Sequence, residues 1–118
     1  GPLVSHALRE NLMEARSVQQ LECYKYALMW ARSEGFIPAP ETSHAIAAAA
    51  QEAIRAREEG REKVILLNWS GHGLLDLKAY DDYMNGKLTD YEPSHEDLEK
   101  AMECFKGFPK PPPFSKKS

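Results

Sequence analysis

What is scarce in this chain of 118 residues narrows its possibilities first. It has two cysteines, Cys23 and Cys104, far apart and without CxxC spacing. That excludes a disulfide framework and a zinc ribbon and leads us to expect reduced thiols in a cytoplasmic protein. Long apolar runs are absent: compact ones such as Val64 to Leu67 fall far short of the roughly 18 residues that span a bilayer. No segment has the basic, apolar and small-residue layout of a signal peptide. An excess of charge is missing too, since 15 basic and 18 acidic residues leave a net charge of -3. Such a balance gives no general attraction to phosphate backbones or anionic lipid, so neither nucleic acid nor membrane is an expected partner. The histidines at 6, 44, 72 and 95 show neither i,i+4 nor HxH spacing, and His72 with Asp76 is only a weak pair, so no metal site is expected.

What is present is an ordinary globular composition at single-domain size. A chain of this length buries roughly two-thirds of its unfolded surface, enough for one core but not for a large cofactor enzyme on its own. It begins with Gly1 followed directly by patterned sequence, which leads us to expect a piece of something longer.

Helical signals dominate. Leu3 to Glu10 has apolar residues at 3, 4, 7 and 8, with Pro2 suited to a first turn. From Gln19, Leu21, Tyr24, Ala27, Leu28 and Ala31 recur at three and four residues, and Gly35 supplies the left-handed stop. Asn11 to Val18 between them reads as a weak strand. Phe36 to Pro40 is a stiff loop with two prolines. Thr42 or Ser43 then caps a helix running through four consecutive alanines to Glu59, with Gly60 as its end and the alanines packed against a sheet. Val64 to Leu67 reads as a parallel strand buried on both faces. Asp76 to Met84 predicts a short helix stopped at Asn85-Gly86, and Ser94 to Phe105 a last one with Ser94 and Asp97 as a capping box. From Gly107 onward the proline-rich, basic segment predicts a disordered tail. The order resembles part of a doubly wound α/β fold, mostly helical by residue count.

Two constellations carry chemistry. Ser70-Gly71-His72-Gly73 is a glycine-rich turn at the carboxyl end of the expected strand, where open α/β sheets bind ligands. Its glycines let backbone approach a ligand and Ser70 offers a hydroxyl. The plainer reading is a strand-to-helix turn in which glycine supplies a positive φ. Asn68 stands where a nucleophile elbow needs glycine, and neither a Rossmann fingerprint nor a P-loop surrounds the turn. The second constellation is Pro38-Ala39-Pro40-Glu41-Thr42-Ser43-His44, where Glu41 at a helix start is favoured by the dipole or held for a ligand. His44 reads as locally hydrogen-bonded.

The phrases Glu34-Gly35-Phe36-Ile37-Pro38-Ala39-Pro40-Glu41-Thr42-Ser43-His44-Ala45 and Val64-Ile65-Leu66-Leu67-Asn68-Trp69-Ser70-Gly71-His72-Gly73-Leu74-Leu75-Asp76 resemble the C-terminal part of the tryptophan synthase beta-chain family. His72 and Leu74-Leu75 are closer to its second, diverged type than to the first, which continues SGRGDKD. The similarity runs from about residue 2 to residue 92.

The resemblance implies a fold-type II pyridoxal phosphate enzyme with a three-layer α/β/α fold, joining L-serine and indole by β-replacement to make L-tryptophan. Ser70 then matches the serine that hydrogen-bonds the pyridine nitrogen, leaving it largely unprotonated. Glu41 matches a glutamate near the cofactor ring, and Gly71, with Gly73, allows close approach. The family's Schiff-base lysine, catalytic glutamate and phosphate loop match nothing here and lie upstream in the family, so no catalytic residue is assigned in this chain.

The expected organisation is therefore residues 1–93 as the C-terminal segment of the pyridoxal phosphate domain, a helix over 94–106 and the tail over 107–118. The implied partners are the remainder of the beta chain, a second copy in a homodimer and an alpha chain. Alone, the chain is expected to be inactive and to bind the cofactor weakly or not at all. A non-catalytic α/β interaction module derived from the same fold is the alternative, and a small nucleotide-binding domain using the glycine turn is a third reading.

Overall fold

The computed structural model describes residues 1–109 and divides them into two units: Val18–Tyr91, and Gly1–Ser17 with the residues from Glu92 onward. The described chain is a little over half helical and contains no β-strand.

The unit Val18–Tyr91 is built on three helices, α2 (Gln20–Glu34), α3 (Pro40–Glu58) and α4 (Leu77–Met84). The first ends where glycine dictates: Gly35 adopts φ 82°, and its amide donates to the Ala31 carbonyl at 3.1 Å. Its start is closed from a distance. Gln19 makes no side-chain cap, and the Leu21 amide instead donates to Asp90 Oδ1 at 2.9 Å, while Gln20 Nε2 donates to the Thr89 carbonyl. A carboxylate there also meets the positive end of the helix dipole.

Helix α3 starts earlier than the capping signal suggested. Pro40 occupies its first turn, where a missing amide is harmless, and Ala39 is the N-cap, so Thr42 and Ser43 lie inside the helix. Its small-residue face packs along α2 and not against a sheet: Cys23 and Ala27 of α2 and Ile46, Ala47 and Ala56 of α3 are buried. Gln51 Nε2 ties the pair by donating to Glu22 Oε1 at 2.9 Å. Between α2 and α4 the core is aromatic. Tyr24 meets Tyr80 edge-on at 5.1 Å and stacks on Tyr83 at 5.4 Å, with Leu28, Ile37, Ala79 and Leu88 packed around them.

The expected strand at Val64 to Leu67 is not a strand among the described residues. Residues 61–71 run without regular structure, and Val64 and Leu66 are fully exposed. The cause is pairing: a strand exists only through a neighbour's backbone, and none lies beside this segment among the described residues. Asn11 to Val18 is no strand either. Asn11 takes φ 56° and its neighbours turn and bend, leaving Leu12 and Met13 exposed. The α/β architecture expected from the sequence is thus seen here only in its helices.

In the other unit, α1 (Pro2–Arg9) and α5 (His95–Glu103) follow their sequence signals. Pro2 opens α1. Ser94 and Asp97 form the reciprocal capping box of α5, the Asp97 amide donating to Ser94 Oγ at 3.2 Å and the Ser94 amide to Asp97 Oδ2 at 3.1 Å. Of the expected tail over 107–118, the part from 110 onward lies outside the described residues.

Burial pushes the Cys23 thiol up from its ordinary 9.0 to about 11, helped by the charges of Glu22 and Asp90. Burial raises Tyr24 and Tyr80 as well. Each such acid ionises more readily in the unfolded chain, so its contribution to stability is complete below the unfolded pKa and is lost as pH climbs through the folded one. Urea unfolding across pH is therefore expected to show a midpoint that falls between 9.0 and about 11. Cys23→Ala is expected to flatten the part of that slope that starts near 9.0, and an unchanged slope would contradict the assignment.

Candidate functional site

The two constellations singled out in the sequence meet in space. The loop before α3 and the glycine turn form a short antiparallel contact centred on Pro38 and His72. The Ala39 amide donates to the Gly71 carbonyl and the Gly73 amide to the Ile37 carbonyl, both at 2.9 Å. Prolines at 38 and 40 remove two amides that would otherwise need partners and hold the loop extended. The remaining acceptor, the Pro38 carbonyl, receives the Tyr80 hydroxyl from α4 at 2.5 Å. One buried phenol therefore links the aromatic core to the site.

Glycine is required at one position of the turn more than the other. A Cβ on Gly73 would stand 2.2 Å from the Pro38 carbonyl oxygen, a distance backbone cannot accommodate without moving. A Cβ on Gly71 would stand 3.7 Å from Ala39 Cβ, which is ordinary contact. Neither has the positive φ that the plainer reading of this turn supposed. Close approach is the reason for Gly73, and the thing approached is the chain's own loop.

Thr42 is the hinge between the constellations. It is 1% exposed, and its Oγ1 lies 2.9 Å from Ser70 Oγ, accepts the Gly71 amide at 3.0 Å and lies 3.0 Å from the Gly71 carbonyl. Ser43, equally buried, donates its hydroxyl to the Ala39 carbonyl at 2.9 Å within the first turn of α3. Neither residue is the cap expected of it: Thr42 finds its partners across the fold, in Ser70 and Gly71, and Ser43 bonds back to Ala39 within the helix. A hydroxyl pair just inside a proline-started helix was the available signal.

Of the candidate residues, Ser70 is exposed while its hydroxyl is braced from behind by Thr42. Gly71 is bonded through both its amide and its carbonyl. Glu41 is exposed on the first turn of α3, one residue before Thr42. His44 and His72 are exposed, and His72 Nδ1 accepts the Leu74 amide at 3.3 Å. Behind Ser70, Trp69 packs on Phe36 at 4.7 Å and on Trp30 at 5.4 Å. Chemically, the arrangement offers one fixed neutral hydroxyl at the surface beside an acidic helix start. No group of three or more metal-ligating side chains occurs among the described residues.

Gly73→Ala is expected to lower stability by about 1–3 kcal/mol through overpacking against Pro38, and Gly71→Ala by less. Urea unfolding gives the two costs. Amide hydrogen exchange at Ala39 and residue 73 is expected to accelerate in the first variant, and equal protection in both variants would contradict the close approach.

Comparison with known proteins then bears on these residues. No family model matches the chain. Among curated proteins, the tryptophan synthase beta chain 2 of Aeropyrum pernix is 52% identical over 93 residues, which is 79% of this chain and 21% of that protein. The tryptophan synthase beta chain of Thermococcus gammatolerans is 49% identical over 95 residues, 80% of this chain and 22% of that one. That of Pyrococcus horikoshii is 42% identical over 112 residues, 95% and 23% respectively. The chain thus spans about a fifth of the length of the curated relatives it matches. With the motif around Ser70 and the one around Glu41 joined in one structure, and with these relatives covering both, the chain belongs to the tryptophan synthase beta-chain family as a C-terminal segment.

Proposed function

We propose that this chain forms one wall of the pyridoxal phosphate site of a beta chain that condenses L-serine with indole to L-tryptophan, and that it is inactive alone. The observation that carries the reading is Ser70: a hydroxyl on an exposed residue, held by a buried partner, shortly after the apolar segment that should lead a strand to a ligand. A neutral hydroxyl suits a heteroaromatic nitrogen, since it can donate without adding charge. When bound, pyridoxal phosphate supplies the electron sink for β-replacement. Within that site Ser70 holds its proton at Oγ toward the ring nitrogen, Glu41 lines the ring from the start of α3, and Gly71 keeps the turn free of bulk beside it.

Several features fit this assignment. Val64, Leu66 and Leu75 are almost fully exposed, as expected of a strand and turn that complete a three-layer α/β fold only with the rest of a beta chain. Residues 1–93 are then the final segment of the pyridoxal phosphate domain, and 94–106 an appended helix. The remainder of the beta chain is the first partner. A second copy and an alpha chain are further ones, in the cytoplasm, where Cys23 and Cys104 stay reduced. Both are free thiols, and no helix among the described residues is long and apolar enough to cross a membrane.

In a full-length beta chain containing this segment, Ser70→Ala is expected to lower kcat/KM for serine and indole by about tenfold, the scale of one lost hydrogen bond to the ring. Unchanged kinetics would overturn the role of Ser70. The isolated chain is expected to show no turnover, and borohydride reduction after mixing with pyridoxal phosphate is expected to leave no stoichiometric adduct at any single lysine. A stable adduct at one lysine would overturn its inactivity, and an inactive full-length chain would favour the interaction module.

A further inference from the structure

We propose that Thr42 is a positioning residue that makes Ser70 a hydrogen-bond donor toward the cofactor's pyridine nitrogen, an inference that rests on the assignment of Ser70 to that nitrogen. The argument is a count of protons. Thr42 Oγ1 carries one hydrogen and has three partners within reach: the Gly71 amide, the Gly71 carbonyl and Ser70 Oγ. The amide can only donate, so it takes one of the oxygen's lone pairs. The single hydroxyl proton then goes either to the Gly71 carbonyl or to Ser70.

The two arrangements differ in what they do to Ser70. If Thr42 donates to the Gly71 carbonyl, Ser70 reaches Thr42 only by donating inward, and its outer side offers lone pairs. If Thr42 donates to Ser70, the Ser70 proton is released to point outward. The second arrangement leaves nothing stranded, because the Gly71 carbonyl already accepts the Ala39 amide at 2.9 Å. An unprotonated ring nitrogen at Ser70 selects it. The chain of donors then runs Thr42 to Ser70 to ring, and a hydroxyl that accepts one hydrogen bond donates the next more strongly.

Burial makes the selection effective. At 1% exposure Thr42 has no water to compete for its proton, and its place in the first turn of α3, behind Pro40, fixes the distance to Ser70. Ser70, in contrast, is exposed and free to meet a ligand. The inner hydroxyl sets direction and the outer one makes contact.

The test uses a full-length beta chain containing this segment, loaded with pyridoxal phosphate carrying nitrogen-15 in its ring. The ring-nitrogen chemical shift and the cofactor Kd are measured for the unsubstituted protein and for Thr42→Val, Thr42→Ser and Ser70→Ala. Thr42→Val is expected to weaken cofactor binding by about five- to tenfold and to move the shift toward that of Ser70→Ala. Thr42→Ser, which keeps the hydroxyl, is expected to restore both. A Thr42→Val protein that retains shift and Kd while Ser70→Ala changes them would overturn the role of Thr42 alone. If Ser70→Ala changes neither, the assignment of Ser70 falls and this inference with it. Should Thr42→Val not fold, Thr42→Cys fills the space with a weak donor and carries the same expectation. A shift there equal to that of the unsubstituted protein would overturn the proposal.

Discussion

The approach of Gly73 to the carbonyl of Pro38 is the constraint on which the site depends. Only because residue 73 lacks a side chain can the turn lie against the loop before α3, and only in that register do both flanking amides find carbonyls. The same contact carries the Gly71 amide to Thr42 and thereby brings Ser70 within reach of a buried hydroxyl. Tyr80 closes the arrangement from the third side, spending its one proton on the acceptor that a two-proline loop leaves without a neighbour. A few polar bonds of ordinary length, shielded from water, thus do for this site what a sheet does in larger proteins.

Around it, hydrophobic burial is modest and local. The α2 and α3 pair encloses small residues, Ala27 and Ala47 being completely covered, and small side chains let helix axes come close at the expense of area. The aromatic trio of Tyr24, Tyr80 and Tyr83 supplies more area per residue and joins α2 to α4. Stability and chemistry consequently share a residue: Tyr80 belongs to the core by its ring and to the site by its hydroxyl.

Legibility from sequence followed the range of the interactions. Gly35, Asn85-Gly86 and the Ser94–Asp97 box act within one helical turn, and all were readable from spacing. Val64 to Leu67 was read as a buried strand because apolar runs imply cover, but cover is a property of neighbours, and that run lies open here. Asp90 closing α2 and Thr42 holding Ser70 join residues far apart in sequence, so no local pattern could reveal them. At the site, the residue types were legible and their partners were not. The turn reads as the ligand end of an α/β unit, while Gly73 serves the loop that faces it.

The aromatic contacts behind the turn have an optical consequence. Both tryptophans of the chain, Trp30 and Trp69, belong to a single cluster with Phe36, their rings 5.4 Å apart, and Trp69 directly precedes Ser70 in sequence. The tryptophan emission of the whole polypeptide, excited apart from its tyrosines, therefore originates beside the glycine turn and nowhere in α1 or α5. Quenching or a change in wavelength on adding a ligand reports on that corner alone, without any label, and the unit of α1 and α5 stays dark in the same measurement.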